Sequence, residues 1–455
     1  DTAPIRRWTA YFKLCRANWN LIGFEYVNGS TTPPGYQLLN HEELISKLSA
    51  VPQITAILGN DTTNWNVREL SGGNLNLVHA IDGTAGSVCV KQSLPYFRAL
   101  GEGSPMPLDR IVFEHRAIRE HARHMPNMLP QILYFDADLF LMVMEYLDGY
   151  TELRKLLMAS KTCSSLGEQL GDYLARTMFL TSDLALSPSE RRLQAASMAG
   201  NWGMFKWMEE LCYTDPYTHR PRNSWNSPYL DDIASEFRRD GPLKRAVARL
   251  KEKYMADPAV LVHGDLHTDS ILVGENSIRV IDMEHSFYGP FGYDFGHLLG
   301  HLFLNYFSQN KDATTFKKQT PYQTWLVDVI QNLWQHFVTE FTLLWNTSRT
   351  GGSYPVELFE GCGDLKSSTL ALKTLVQRTL HNAAGFTGIE MNRRILGWGA
   401  VPDFENIEDT YCRSMTERRC LNFGRYLILN ANTFQDIDDV TRTAEKFLLE
   451  MNLTD

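Results

Sequence analysis

The chain has no long lysine and arginine stripe, no membrane-length apolar run, no internal repeat, no low-complexity segment and no C-x-x-C motif. Each absence removes a class of function. With 44 basic against 53 acidic residues and a net charge of -9, nothing is placed to neutralise a phosphodiester backbone, so nucleic acid is not an expected partner. A membrane helix needs about 20 apolar residues; the best stretch, "HLLGHLFLNYF", is short, carries two histidines and reads as a buried helix, so no membrane span is expected. Seven cysteines, at 15, 89, 163, 212, 362, 412 and 420, leave one over and give no disulfide framework or zinc site. They point to a reducing compartment. The cytoplasm is expected, with the mitochondrial matrix as the alternative if a targeting segment once preceded Asp1. What is present is 455 residues at 44% apolar composition, enough for two substantial lobes with a buried core.

Residues 1–35 are locally basic and aromatic and end in a Thr-Thr-Pro-Pro-Gly break, which marks an extension joined to a domain. From there "LLNHEELISKLSA" reads as a helix capped by Asn40. "NVRELSGGNLNLVHAID" and "GSVCVKQSL" alternate as strands, "LDRIVFEHRAIREHARHM" is a helix, and "PQILYFDADLFLMVMEYL" gives two more strands. Behind the capped helix, the expected domain at 36–147 is therefore a small antiparallel sheet with one helix among its strands. Residues 148–455 read as mainly helical, with Leu166, Leu170, Leu174 and Met178 recurring every fourth position and a long helix around "TWLVDVIQNLWQHFVTEFTLLW".

Chemistry concentrates in "VHGDLHTDSILVGENSIRVIDMEHSFYGPFGYDFG". Val260–Val262, "SILV" and "SIRVID" read as short strands, which sets Asp265 in a tight loop and Asp282 at a strand end. Alternation would turn Asp282 and Glu284 to one side, a pair of hard oxygen ligands for Mg2+. Two carboxylates on a divalent ion, with a third to take a hydroxyl proton, is the requirement for phosphoryl transfer from a nucleotide. His263 and His267, two residues apart with no further ligands, are expected to hydrogen-bond within the loop, and no transition metal is assigned.

His-Gly-Asp-Leu-His resembles the catalytic loop of the aminoglycoside phosphotransferase and choline kinase group, whose fold is similar to that of protein kinases. The longer strings "HGDLHTDS", "DMEHSFYGPFGYDFG", "GGNLNLV", "VKQSLPYFRALGEGSPM", "SPYLDD" and "NRRILG" together resemble the 5-methylthioribose kinases, from about Tyr36 to Arg425. The resemblance implies an α+β, two-lobed, protein-kinase-like fold with a nucleotide-binding N-lobe and a catalytic, substrate-binding C-lobe. It implies ATP and Mg2+ as cofactors, a small sugar as substrate and a homodimer. By the same resemblance Asp265 is the catalytic base, Asp282 and Glu284 hold the metal, and Ser270 helps hold the nucleotide, at a position that is a metal-binding Asn in most kinases of the fold and Ser in these. Lys91 holds the nucleotide phosphates with Glu114 as its ion-pair partner. Gly72, Gly73 and Asn74 form the phosphate turn, while Glu145, Tyr146 and Leu147 offer backbone groups and an apolar edge to adenine. Arg393 and Arg394 reach the sugar. Asp294, in a literal Asp-Phe-Gly 29 residues after Asp265, is not the metal ligand; it caps the next helix or takes hydrogen bonds from the catalytic loop.

The chain departs from the family pattern at Ser71 (family Asp), Met283 (family Pro) and Asp269 (family Gly). A carboxylate at 269 would repel transferring phosphate if it faced it. Residues 1–35 have no family counterpart. These departures leave, as an alternative, a kinase-derived scaffold or subunit of a larger assembly that binds a partner through its extension; a choline, homoserine or aminoglycoside kinase is the nearest enzymatic alternative.

Overall fold

A computed structural model describes residues 32–70, 75–98, 101–309 and 319–449. The expected extension lies outside them except for its last four residues, and so do Gly72, Gly73 and Asn74. The chain divides into two units, one reaching Ile111 and adding Leu133–Val143, the other made of Val112–Ile132 and Met144 onward. Among the described residues no helix is long and apolar enough to cross a membrane.

In the first unit Asn40 accepts the Glu43 amide at 3.0 Å and Glu43 returns to the Asn40 amide at 2.8 Å. This capping box satisfies two end amides and starts the helix His41–Ser49 as expected. Pro52, whose missing N–H costs nothing in a first turn, opens Pro52–Leu58. Both helices bury leucine and isoleucine against a five-stranded sheet: β1 (Asn66–Glu69), β2 (Asn76–Asp82), β3 (Ser87–Ser93), β4 (Ile132–Asp136) and β5 (Leu141–Glu145), in the order β1-β2-β3-β5-β4. Leu44, Leu48, Ile54 and Leu58 meet Ile81, Val88, Val90, Leu141 and Val143. Each such side chain contributes roughly 1.5–3 kcal/mol on burial. Because strand side chains alternate, Val88 and Val90 facing these helices put Lys91 on the opposite face of β3, where it is also buried. The fully buried Arg110 donates to the carbonyls of Leu75, Leu94 and Pro107, which fixes the stretch after β3.

The second unit is mainly helical. Its centre is Tyr293–Ser308, buried at all 16 positions. A helix buried on every side must be covered on every side, and Leu365–Leu396 and Thr410–Asn430 pack on it while Pro321–Thr347 lies along Leu166–Leu180. Thus the α+β division between a sheet-bearing unit and a helical one is as expected. The short strands differ in detail. β6 (Thr151–Glu152), β8 (Ile271–Val273) and β9 (Ile278–Val280) form one sheet, whereas β7 (Val260–Val262) pairs with β10 (Phe287–Gly289). The strand β10 was not expected, since three residues beside a Gly-Pro loop show no alternation. β9 ends at Val280, two residues before the expected Asp282.

His121, at the end of the helix Arg110–His124, ties the unit together. Its Nε2 donates to the Leu261 carbonyl at 3.1 Å, and its Nδ1 accepts from the Tyr173 hydroxyl at 2.8 Å. Both bonds need the neutral ring. Burial accordingly pulls its pKa down to about 3, and that of the buried His263 to about 4. An unfolded histidine titrates near 6.5, so below that pH the unfolded chain takes up protons the native chain refuses, and each ring removes about 1.4 kcal/mol of stability per pH unit. His121→Gln should therefore unfold with a shallower loss of stability between pH 6 and 5, by about that slope, in urea titrations. Parallel slopes for variant and parent would contradict the assignment.

Candidate active site

The loop between β7 and β8 carries Asp265. Gly264 before it has φ +92°, and a Cβ there would lie 2.1 Å from the His285 carbonyl oxygen, so only glycine fits. Asp294 fastens the loop from below: its Oδ2 accepts the His263 amide at 2.7 Å and its Oδ1 the Gly264 amide at 3.1 Å. Of its two expected roles it therefore takes the second; the cap of its own helix is Gly292. Burial pushes the Asp294 carboxyl up to about 6, against the pull of those two amides. Both histidines hydrogen-bond within the loop, as expected. His263 accepts the Asp265 amide on Nδ1 and donates from Nε2 to the Ile281 carbonyl at 2.8 Å. His267 accepts the Asp269 amide on Nδ1 at 3.1 Å, which leaves its Nε2 proton toward Asp265 Oδ2, 3.4 Å away. Ser270, proposed to help hold the nucleotide, donates its hydroxyl to the Asp265 carbonyl at 3.3 Å and is buried.

Asp282 and Glu284 do come together, but strand alternation is not the cause. Asp282 lies past the end of β9 with φ +67°, a left-handed turn. Asn201 then holds the next segment through the carbonyls of Glu284 and Ser286, at 2.9 and 3.0 Å. Glu114 joins them, with one carboxylate oxygen of each residue within 4.8 Å of the others. Three carboxylates are a hard-oxygen donor set, which suits Mg2+. A second group among the described residues, Cys212, His297 and Glu390, is different: burial raises the Cys212 thiol, keeping it protonated, and Glu390 is occupied by arginines.

Arg393 and Arg394 end the long helix Leu365–Leu396 and converge on Asp265. Arg393 Nη2 lies 3.3 Å and Arg394 Nη2 3.7 Å from Asp265 Oδ1, and His297 Nδ1 lies 3.5 Å from the same oxygen. Burial alone would raise the Asp265 pKa; His267, His297 and Arg393 outweigh it and hold the carboxyl well below its ordinary value. It is ionised at neutral pH, with 16% of its side chain exposed. Asp269 turns away from this carboxylate: its Oδ2 meets Arg154 Nε at 2.6 Å, and Arg154 also binds Asp403 at 2.6 Å. Its negative charge is thereby paired.

Lys91 sits in β3 of the first unit and Glu114 in the second, where it stands with Asp282 and Glu284. At the end of β5 the Glu145 amide is given to the Gln131 carbonyl at 2.8 Å. The sequence reading missed Glu390, His297, His301 and Arg154. The signal for two of them was available: His297, His301 and Asn305 recur every fourth residue, a polar stripe on an apolar helix.

Residues 66–319 match the family model described as "Phosphotransferase enzyme family". A methylthioribose kinase from Escherichia coli is 36% identical over 91% of this chain and 98% of its own length. Methylthioribose kinase 1 of Oryza sativa is 35% identical over 91% of the chain and 96% of its own. The methylthioribose kinase of Geobacillus kaustophilus is 34% identical over 84% of the chain and 91% of its own.

Metal binding separates Asp282 and Glu284 from Asp294. Asp282→Ala and Glu284→Ala should each weaken Mn2+ binding, read by electron paramagnetic resonance, by at least about tenfold. Asp294→Ala should leave it within about twofold and instead cost about 1–3 kcal/mol of stability, because two buried amides lose their acceptor. A metal-sensitive Asp294 with a neutral Asp282 would reverse the assignment.

Proposed function

The chain belongs to the methylthioribose kinases, and from that premise we propose how its own residues transfer the terminal phosphate of ATP to the anomeric hydroxyl of 5-methylthioribose. It is an ATP-dependent sugar kinase acting in methionine salvage. The observation that carries the assignment of roles is the ionised, partly exposed carboxylate of Asp265, met by two guanidiniums at the end of one helix. Asp265 orients the anomeric hydroxyl and takes its proton as the sugar oxygen bonds to the γ-phosphorus; the bond to the β,γ-bridging oxygen breaks and ADP leaves. Arg393 and Arg394 hold sugar hydroxyls and steady the charge on the transferring group. Lys91, with Glu114 as its partner, holds the nucleotide phosphates, and Gly72, Gly73 and Asn74 cradle them. Ser270 keeps the catalytic loop closed beneath the phosphates. Tyr146 and Leu147, beside Glu145, meet adenine. Asp282 and Glu284 would hold Mg2+, which when bound would neutralise charge on the phosphates.

Two guanidiniums beside the base are donors that suit the hydroxyl oxygens of a polyol, whereas an ammonium group offers them no acceptor, which disfavours choline and aminoglycosides. Among the departures that left a scaffold as the alternative, Asp269 is engaged by Arg154, which supports the kinase reading. A homodimer and a cytoplasmic location complete the reading; the former would show as twice the chain mass in sedimentation, and an odd number of cysteines with no C-x-x-C motif suits the latter.

ATP consumption measured across 5-methylthioribose, choline, homoserine and an aminoglycoside tests the acceptor: turnover is expected with the first alone, and preference for an amine would overturn the reading. Asp265→Asn should reduce that turnover by roughly 10²- to 10⁴-fold while ATP affinity is kept. Near-normal turnover in this variant would remove Asp265 from the chemistry.

A further inference from the structure

Glu390 lies three and four residues before Arg393 and Arg394, so all three share one face of the helix, and it is fully buried. A buried carboxylate is costly unless its oxygens are filled. Here they are: Arg393 donates from Nε to Oε2 at 2.8 Å and from Nη2 to Oε1 at 2.7 Å, and Arg394 Nε reaches Oε1 at 2.7 Å. His301 Nε2 donates to Oε1 at 2.9 Å, because its Nδ1 accepts from Arg154 Nη2 at 3.0 Å. His297 Nδ1 stands 3.6 Å from Oε2. Gly300 makes the room, since a Cβ there would come within 3.0 Å of the Glu390 side chain.

The groups that crowd Asp265 Oδ1, namely Arg393, Arg394 and His297, are the same groups that touch Glu390. Two guanidiniums facing Asp265 alone would leave excess positive charge on the base and free the arginines to rotate. With Glu390 behind them, two carboxylates balance two guanidiniums; Arg393 is fixed by a bidentate bond, and Arg394 by single bonds to Glu390 and to the Gly399 carbonyl. Asp265 Oδ2, approached by His267 at 3.4 Å, is then the oxygen left to take a proton.

We propose that Glu390 is a positioning residue of the acceptor site, which holds Arg393, Arg394 and His297 around Asp265 and shares their charge so that Asp265 remains a base for a sugar hydroxyl. This rests on the kinase reading above. It acts on the acceptor half-site and not on the nucleotide, because each of its hydrogen bonds runs to the Arg393–Arg394 pair or to His301.

The test is steady-state kinetics on the full chain with ATP, Mg2+ and 5-methylthioribose, together with ATP affinity measured without acceptor. Glu390→Gln should lower kcat/KM for methylthioribose by at least about 30-fold and leave ATP affinity within about twofold. Combined with Arg393→Met it should be no worse than Arg393→Met alone, since both remove one linked unit. If Glu390→Gln does not fold, Glu390→Asp, which keeps the charge but withdraws it by one methylene, should lose at least about fivefold in kcat/KM with ATP affinity kept. An active parent whose Glu390 variants stay within twofold, or lose ATP affinity in step with acceptor turnover, or add fully to Arg393→Met, overturns the proposal. A parent inactive on methylthioribose overturns the functional reading first, and the proposal falls with it.

Discussion

Two carboxylates sharing two guanidiniums in a dry interior are the constraint around which the second unit is arranged. Asp265 and Glu390 come from a loop and a helix 125 positions apart in the chain, and Arg393 bridges them with one Nη2. None of these charges tolerates burial alone, since the loss of hydration is repaid only by close and multiple hydrogen bonds. The surrounding helices must therefore hold the set to within tenths of an ångström. The fully buried helix Tyr293–Ser308 does so by presenting His297, His301 and Asn305 on one face, and burial keeps His301 neutral by pulling its pKa well down, so that it donates to Glu390 without adding charge. Glu390, for its part, is held well below the ordinary carboxylate range: burial opposes ionisation, but Arg393 and Arg394 outweigh it.

A second chain of bonds connects Asp265 to Asp282 and Glu284, the carboxylates proposed for Mg2+. Asp294 holds the amides before Asp265, and His263 spans from the Asp265 amide to the Ile281 carbonyl, one residue before Asp282. The catalytic loop and the left-handed turn at Asp282 thus move together or not at all. This arrangement explains why the aspartate of the literal Asp-Phe-Gly serves as a fastening: both its oxygens face loop amides. Asp269 enters a third set, with Arg154 and Asp403, which joins the first through His301.

Much of this was legible in the sequence, for identifiable reasons. The capped helix at Asn40, the alternating strands around Lys91 and the every-fourth-residue helix from Leu166 have periods that local geometry imposes. His-Gly-Asp and the Asp-x-Glu pair were legible because their spacing is short. The explanation given for that pair was not right: the sequence pattern extends a strand to Asp282, whereas the chain leaves the sheet at Val280 and turns. β10 was invisible because a three-residue strand is specified by its partner β7. Glu390 was missed because a lone glutamate in "GIEMNRRILG" looks like any surface helix residue; only the fold reveals that its face is interior. The sign of Asp269's effect was likewise unreadable, since it depends on Arg154, 115 positions away.

The central claim is that Asp265, so held, directs phosphate onto the anomeric oxygen of a sugar. The regiochemistry of the product tests this without any variant. Two-dimensional 1H–31P correlation spectroscopy of the reaction with ATP, Mg2+ and 5-methylthioribose should show the new phosphorus coupled to the anomeric proton. Coupling to any other ring or chain proton, or inorganic phosphate as the sole new phosphorus species, would contradict it.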